Sequence, residues 1–391
     1  MRVLLATDWP GFGGGMETYF GMLTKGLQQT GDDVRLLTSS VGGGARVAQY
    51  VAFGARHPAL QSVLQIANPA ATLAVRRAVS EFNPDVAVVG MFEMHLSPSV
   101  LAALRGVPTV LSVAYYKPIC PNGLKLLPNN SLCEVQQGAI CWRGGCTSLA
   151  HWLRDRLRYA RIAREIAAVS RVTTCSRYLQ QELASAGIAS RFHPWPIEAA
   201  SPSFLRKLAD EPLFVFTGRL AREKGVDILF EALARLRADR VPARLRVVGD
   251  GPHRSRLEAL ATSLGVESAV EFTGWLPLDQ VESQLADAWA LVAPSRWAEP
   301  LGLTALEAVV RGLPAVVSRI GGLSETVEEG VSGLLFPNGD VAALAQCLSD
   351  ISSGRVFSGG VSPAVAGAIQ ARHDLGAHVT WIRDLLLEIA A

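Results

Sequence analysis

The chain has 391 residues, 49 % of them hydrophobic, which is enough for a sizeable core and too many for a disordered chain. Its formal net charge of +2 leaves no basic footprint of a nucleic-acid binder. At roughly 150 residues per domain, the length implies two domains.

In chain order, Val3–Ala6 (VLLA) reads as a short buried strand. An apolar run of about five residues is too short for a signal peptide or a membrane span, and no run of about 18 follows. The expectation is a cytoplasmic protein, free or peripheral at the inner face of the plasma membrane. A glycine-rich loop, Gly11 to Gly15, comes next, then a helix over about Glu17 to Gln29 and a strand at Val34–Thr38. Further strands fall at Val86–Val89, Thr109–Val113 and Val172–Cys175. Short apolar runs separated by helical patterns imply a parallel sheet.

The proline-containing segment His193–Pro212, with the hinge placed at 196–211, separates this half from a second that restarts the pattern. Leu213–Thr217 is a strand, Val226–Arg237 a helix, Leu245–Val248 a strand and Pro252–Leu264 a helix. Strands follow at Val270–Phe272, Ala290–Val292 and Ala315–Val317, and Ser352–Ser362 is a low-complexity loop. The amphipathic stretch Ala377–Ile389 reads as a helix, with 377–391 crossing back to the first domain. The fold class is therefore α/β, with two doubly wound domains, 1–195 and 212–376, facing a cleft. Ligands in such sheets bind beyond the carboxyl ends of the strands.

The most informative stretch is Arg296 to Gly312, RWAEPLGLTALEAVVRG. Glu299 and Glu307 stand eight positions apart, with Pro300-Leu301-Gly302-Leu303-Thr304 rising into a helix between them. A helix N-terminus presents unpaired N–H groups and a positive dipole end, so it attracts phosphate. Upstream, Gly218-Arg219 and Lys224-Gly225 add fixed positive charge suited to a diphosphate. Carboxylates beside such a site can hold sugar and ribose hydroxyls. Together these parts describe a nucleotide-sugar site, although an isolated acid on a helix is more often a solvated face.

The motifs GRLAREKG (Gly218–Gly225), VGDGP (ending Gly249–Pro252), FTGWLP (Phe272–Pro277), PSRWAEPLGLTALEA (Pro294–Ala308) and GGLSETVEEGVSGLLFPNGD (Gly321–Asp340) occur in a fixed order. In order and spacing they resemble the retaining nucleotide-sugar glycosyltransferases of family four, which adopt the two-Rossmann GT-B architecture. The resemblance covers essentially the whole chain and is densest over 213–340. It implies that Arg219 and Lys224 hold the donor diphosphate and that Glu299 contacts the donor sugar hydroxyls. It further implies that backbone around Leu301, Gly302 and Leu303 cradles phosphate and that Glu307 holds the ribose. Gly14 and Gly15 match the N-terminal loop over the diphosphate, and the backbone of Gly249–Gly251 matches part of the base site. The implied activity moves a hexose, with retention, to a hydroxyl of a glycan or lipid-linked acceptor, in bacterial surface polysaccharide or glycolipid synthesis.

No Asp-x-Asp occurs in the chain, so no metal is expected at the active site and no cofactor is required. One departure from the family pattern stands after the strand PTVLSV. Where the family commonly shows a His near the transferred sugar, this chain has Ala114, followed by Tyr115. Alanine's side chain neither donates nor accepts a hydrogen bond. Glu93 and His95, after the preceding strand, are acceptor-side candidates together with Tyr115, while His95 reads more readily as an ordinary surface or loop histidine. Ala114 also admits an alternative reading, a weak or inactive relative that binds nucleotide sugar as a sensor or assembly partner. A pyridoxal-dependent phosphorylase and a dinucleotide oxidoreductase find less support, because GFGGGMET departs from the Gly-x-Gly-x-x-Gly spacing.

Cys120, Cys133, Cys141 and Cys146 are separated by twelve, seven and four residues, and related enzymes show a Cys-bearing loop at this place. Four thiolates can close a structural zinc site. The lack of a tight Cys-x-x-Cys pair favours free cysteines instead. Finally, His151–Val169 reads as a basic amphipathic helix, with Arg154, Arg158 and Arg161 on one face and Trp152, Tyr159 and Ile166 on another. It either packs its apolar face on the sheet with the arginines in water, or rests on an anionic membrane.

Overall fold

The computed structural model of the chain describes residues 1–8, 14–41, 47–197 and 208–391. Gly11–Gly13 of the glycine-rich loop and residues 198–207 of the expected hinge lie outside them. Two compact units emerge. The first is Met1–Pro128, Cys133–Pro196 and His373–Ala391; the second is Ile197–Arg372 with Asn129–Leu132.

The first unit is built from β1 (Arg2–Thr7), α1 (Gly15–Gln29), β2 (Asp33–Ser39), β3 (Tyr50–Ala52), α2 (Pro58–Leu64), α3 (Pro69–Phe82) and β4 (Val86–Val89). It continues through α4 (Ser99–Ala103), β5 (Thr109–Val113), α5 (Ala139–Arg143), α6 (Leu149–Ile166), β6 (Arg171–Thr174), α7 (Arg177–Ser185) and β7 (Arg191–Phe192). Its seven strands run in the order β3-β2-β1-β4-β5-β6-β7, every pair parallel.

The second unit holds β8 (Leu213–Thr217), α8 (Val226–Ala238), β9 (Arg244–Val248), α9 (Arg254–Ser263), β10 (Val270–Gly274) and α10 (Leu278–Leu285). Then come β11 (Ala290–Ala293), α11 (Leu303–Val310), β12 (Ala315–Ser318), β13 (Gly333–Phe336), α12 (Val341–Ser352) and α13 (Pro363–Arg372). The strand order is β10-β9-β8-β11-β12-β13, again all parallel. Both sheets reverse strand order beside their first strand, as doubly wound nucleotide-binding folds do.

The apolar runs are uninterrupted because both faces of each sheet are covered. In β8, Phe214 and Phe216 enter the core shared with α8, α9 and α12. Leu213 and Val215 enter the opposite core, shared with α10, α11 and α13. In β1, Val3, Leu4, Leu5 and Ala6 are all 0 % exposed.

The last helix, α14 (Leu375–Ala390), belongs to the first unit and packs on α1. The Asp374 side chain caps it, accepting from Ala377 N at 2.8 Å. His378 Nε2 lies 3.1 Å from the Tyr19 hydroxyl, and Arg383 pairs with Asp32 at 3.0 Å.

Helix α6 corrects the sequence reading of its faces. Arg158 is 1 % exposed and donates to the Glu93 carbonyl at 3.0 Å. Arg154 bonds Asp155 and Ser62, and Arg161 donates to Ile66 O at 3.3 Å. The arginine face thus points into the protein alongside Tyr159, Ile162 and Ile166. Buried acids and carbonyls, invisible in the helix's own periodicity, account for this inward turn.

Candidate active site

The strongest convergence of sequence-marked residues lies in the second unit, beyond the carboxyl ends of β8, β9, β11 and β12. These strands are adjacent, and the strand order switches between β8 and β11. The loop after β8 carries Arg219 and ends in a 3₁₀ turn, Arg222–Lys224, closed by Gly225. Lys224 Nζ reaches 2.8 Å from Glu299 Oε1, in the loop after β11. The Ser295 hydroxyl donates to the same oxygen, and the ammonium sits 5.7 Å from the centre of the Trp297 ring. Glu299 is 8 % exposed, so its charge is held by Lys224 and Ser295 rather than by bulk water.

Around this pair the backbone is packed at glycines. Gly249 has φ 139°, and a Cβ there would fall 2.0 Å from the Gly218 carbonyl oxygen. Gly302 precedes α11 with φ 92° and no side-chain cap. A Cβ on Gly302 would meet Leu323 Cδ1 at 2.5 Å. The loop after β12 also ties to the Glu299 loop, because Gly322 N donates to Glu299 O at 2.7 Å. The start of α11 has no side-chain cap and follows Glu299 in the same loop, with Leu301 buried between them. Glu307 lies one turn further along α11, half-buried. Arg219 pairs with Glu223 but remains 64 % exposed.

Sequence reasoning missed Ser295, Trp297 and Glu223. It also missed the Arg296–Asp227 pair that braces the β11 loop, with Nη2–Oδ2 at 2.8 Å. Only the polar character of a loop after a buried strand could have suggested them.

Gly14 and Gly15 stand in the first unit, at the N-cap and first residue of α1. The acceptor-side candidates sit elsewhere in that unit, beyond β4 and β5. Glu93 is fully buried, His95 is 3 % exposed and Tyr115 is half-buried. His95 is therefore no surface loop histidine. Asp8, a residue the sequence reading passed over, receives the N–H groups of Met94, His95 and Leu96 at 2.7, 2.9 and 2.7 Å. Asn68 Nδ2 donates to His95 O at 2.7 Å, and Arg158 holds the Glu93 carbonyl. The loop after β4 is fixed from three sides. Burial pushes Asp8 up to about 6, against the pull of those amides. Burial, and then the nearby charge of Asp8, push Glu93 up to about 7. Tyr115 stands against Glu93 and donates to Gly90 O at 3.2 Å. Ala114, beside it, is half-buried.

Among the described residues, no group of three or more His, Cys, Asp or Glu side chains is arranged to share a metal ion. Cys120, Cys133, Cys141 and Cys146 are free thiols, with Cys120 and Cys141 buried. Burial raises the thiols of Cys141 and Cys146 above their ordinary value.

The family model "Glycosyl transferase 4-like domain" matches residues 14–197, and "Glycosyl transferases group 1" matches residues 199–356. The chain belongs to the family-four GT-B glycosyltransferases. It is an enzyme that uses a nucleotide sugar. The glycosyltransferase is 36 % identical over 200 residues to a GDP-mannose-dependent alpha-(1-6)-phosphatidylinositol monomannoside mannosyltransferase of Mycolicibacterium smegmatis, covering 46 % of this chain and 52 % of that one. To the Mycobacterium tuberculosis protein of the same name it is 27 % identical over 368 residues, covering 90 % and 89 %. In fold it resembles Anabaena HepE in complex with UDP, with a TM-score of 0.72, 19 % identity, and 99 % and 100 % of the two chains covered.

Proposed function

We propose that this glycosyltransferase moves a hexose, with retention of configuration, from a nucleoside-diphosphate sugar to a hydroxyl of a glycan or lipid-linked acceptor in bacterial surface glycan or glycolipid synthesis. The observation that carries the reading is the Lys224–Glu299 contact, 2.8 Å long, at the strand switch beside the start of α11. Here a cation, a carboxylate and the uncapped start of a helix come together in adjoining loops. A diphosphate takes Lys224, Arg219 and the α11 N-terminus; sugar hydroxyls take Glu299; ribose hydroxyls take Glu307. Positive charge held in place before reaction stabilises charge developing on the leaving diphosphate. Retention follows the family scheme, in which the leaving phosphate accepts the acceptor's proton on the same face. No separate base is needed there, so Ala114 is compatible with turnover.

The first unit would supply the acceptor side. Tyr115 and Ala114, at the end of β5, are its more exposed candidates, with Glu93 buried behind them. The mannosyltransferase relatives make GDP-mannose the first donor to try, and HepE makes UDP-glucose and UDP the second.

The test is thermal unfolding against GDP, UDP and their sugars without metal, with Glu307→Ala as control. Specific binding adds about 2.7 kcal/mol at a hundredfold excess over Kd. A shift for one base, reduced in the control, supports the site. A flat panel removes it. Proton NMR of the anomeric configuration of the first product then decides retention.

A further inference from the structure

Helix α6 buries charged side chains alongside Tyr159, Ile162 and Ile166. Its charged residues Asp155, Arg158 and Glu165 are buried. They are paired as Arg154–Asp155 at 2.6 Å, Arg158–Asp155 at 3.7 Å and Arg105–Glu165 at 2.6 Å. The opposite side carries Leu149, Leu153 and Leu157, which are 44, 52 and 70 % exposed. At 100° per residue these leucines fall within about 80° of one another, with Ala160 and Arg164 among them. The neighbouring helix α5 adds Ile140 and Trp142, both exposed, and the Trp142 ring stacks on Trp152 with centroids 6.0 Å apart. Arg156 lies over Trp152 at 5.7 Å. A lone exposed leucine is ordinary, whereas a stripe of three extended by isoleucine and two tryptophans is an interaction surface.

The charges select the partner. Between residues 139 and 168 both acids are buried, and the exposed arginines are Arg143, Arg156 and Arg164, the last also paired with Glu165 at 2.8 Å. Leucines flanked by arginines and interfacial tryptophans match the boundary between headgroups and acyl chains of an anionic bilayer. We propose that the α5–α6 face of the first unit docks the enzyme peripherally on an anionic lipid surface. None of these residues belongs to the nucleotide-sugar site. No described helix is long and apolar enough to cross a membrane, so the contact is interfacial. The attraction comes from the leucine side of α6, not from the arginine face that the sequence pattern singled out.

The test is co-flotation of the full chain with vesicles of phosphatidylcholine alone or mixed with phosphatidylglycerol. Wild-type protein is expected to float with the mixed vesicles and to release as salt rises. The double variant Leu153→Gln, Leu157→Gln is expected to partition about tenfold less or weaker still, through lost apolar insertion. The double variant Arg143→Gln, Arg156→Gln, which leaves the Arg164–Glu165 pair in place, is expected to lose most of the salt response. All four of these side chains are exposed and none pairs with a buried acid, so both variants should keep the wild-type unfolding midpoint and nucleotide-induced shift. Wild-type protein that stays unbound to mixed vesicles overturns the proposal, as does equal binding by the leucine variant. So does light scattering that shows a wild-type dimer which the leucine variant converts to monomer, because a second copy then covers the face.

Discussion

Lys224 Nζ and Glu299 Oε1 lie 2.8 Å apart across 75 residues of sequence, joining the loops that follow β8 and β11. The pair is half-shielded, with side-chain exposures of 24 % and 11 %, so each charge compensates the other while no donor is bound. A diphosphate would take over the lysine and leave the carboxylate for sugar hydroxyls. Lys224→Ala should therefore lower kcat on the order of a hundredfold or more, since that is what one fixed donor to developing charge contributes. Circular dichroism and the unfolding midpoint should report a folded protein, because Ser295 still bonds Glu299. Near-normal turnover of the purified variant would contradict the assignment.

In the proposed function, charge for the diphosphate comes from Arg219, Lys224 and the start of α11. The sequence contains no Asp-x-Asp to hold a divalent ion between phosphates. Transfer should consequently persist in excess EDTA, measured as nucleotide release from the cognate donor. Complete loss, restored by a single divalent metal, would sink the idea.

Much of the fold could be read from the chain because fully covered parallel strands show as unbroken apolar runs. Val86–Val89, Thr109–Val113 and Leu213–Thr217 coincide with β4, β5 and β8. The strands that escaped, β3, β7 and β13, lie at or near sheet edges, where short segments carry little apolar signal. The GRLAREKG and PSRWAEPLGLTALEA motifs were visible because glycine and charge stand out in a loop between apolar strands, where they form the Lys224–Glu299 contact. Ser295 was not, since one hydroxyl in a loop carries no pattern. Asp8 was hidden for a different reason: its partners are amides 86 to 88 residues away. The periodicity of α6 marked Tyr159 and Ile166 for burial but not Arg158 beside them, because the Glu93 and Ile66 carbonyls that take Arg158 and Arg161 come from elsewhere in the chain.

Two buried groups should give opposite pH slopes. Burial and Asp8 hold Glu93 protonated up to about 7, above its ordinary 4.5. Between those values the folded state binds more protons than the unfolded one, so this group's contribution to stability falls as pH rises. Burial, then the charge of His193, lower His378 from 6.5 to about 4. There the unfolded state binds more protons, so that contribution is full above 6.5 and is lost as pH falls towards 4. Urea unfolding over this range should show Glu93→Gln gaining on wild type as pH rises. His378→Gln should gain on wild type as pH falls. Parallel curves for either variant would refute the corresponding shift.

A glycine of the proposed donor cradle differs from one outside it in being required for space as well as for backbone angle. Gly249 has φ 139°, and its absent side chain would sit 2.0 Å from Gly218 O, a backbone atom fixed between two strands. Gly265 also has a positive φ, 66°, but nothing lies within 4 Å of the Cβ position. Gly265→Ala should thus cost only the left-handed penalty of about 1–2 kcal/mol. Gly249→Ala adds a clash that can be relieved only by separating the β8 and β9 loops. Equilibrium unfolding should rank Gly249→Ala well below Gly265→Ala, and only the former should weaken nucleotide-induced stabilisation. If the two alanine variants unfold alike and bind alike, the close approach of the two loops is not what holds the cradle.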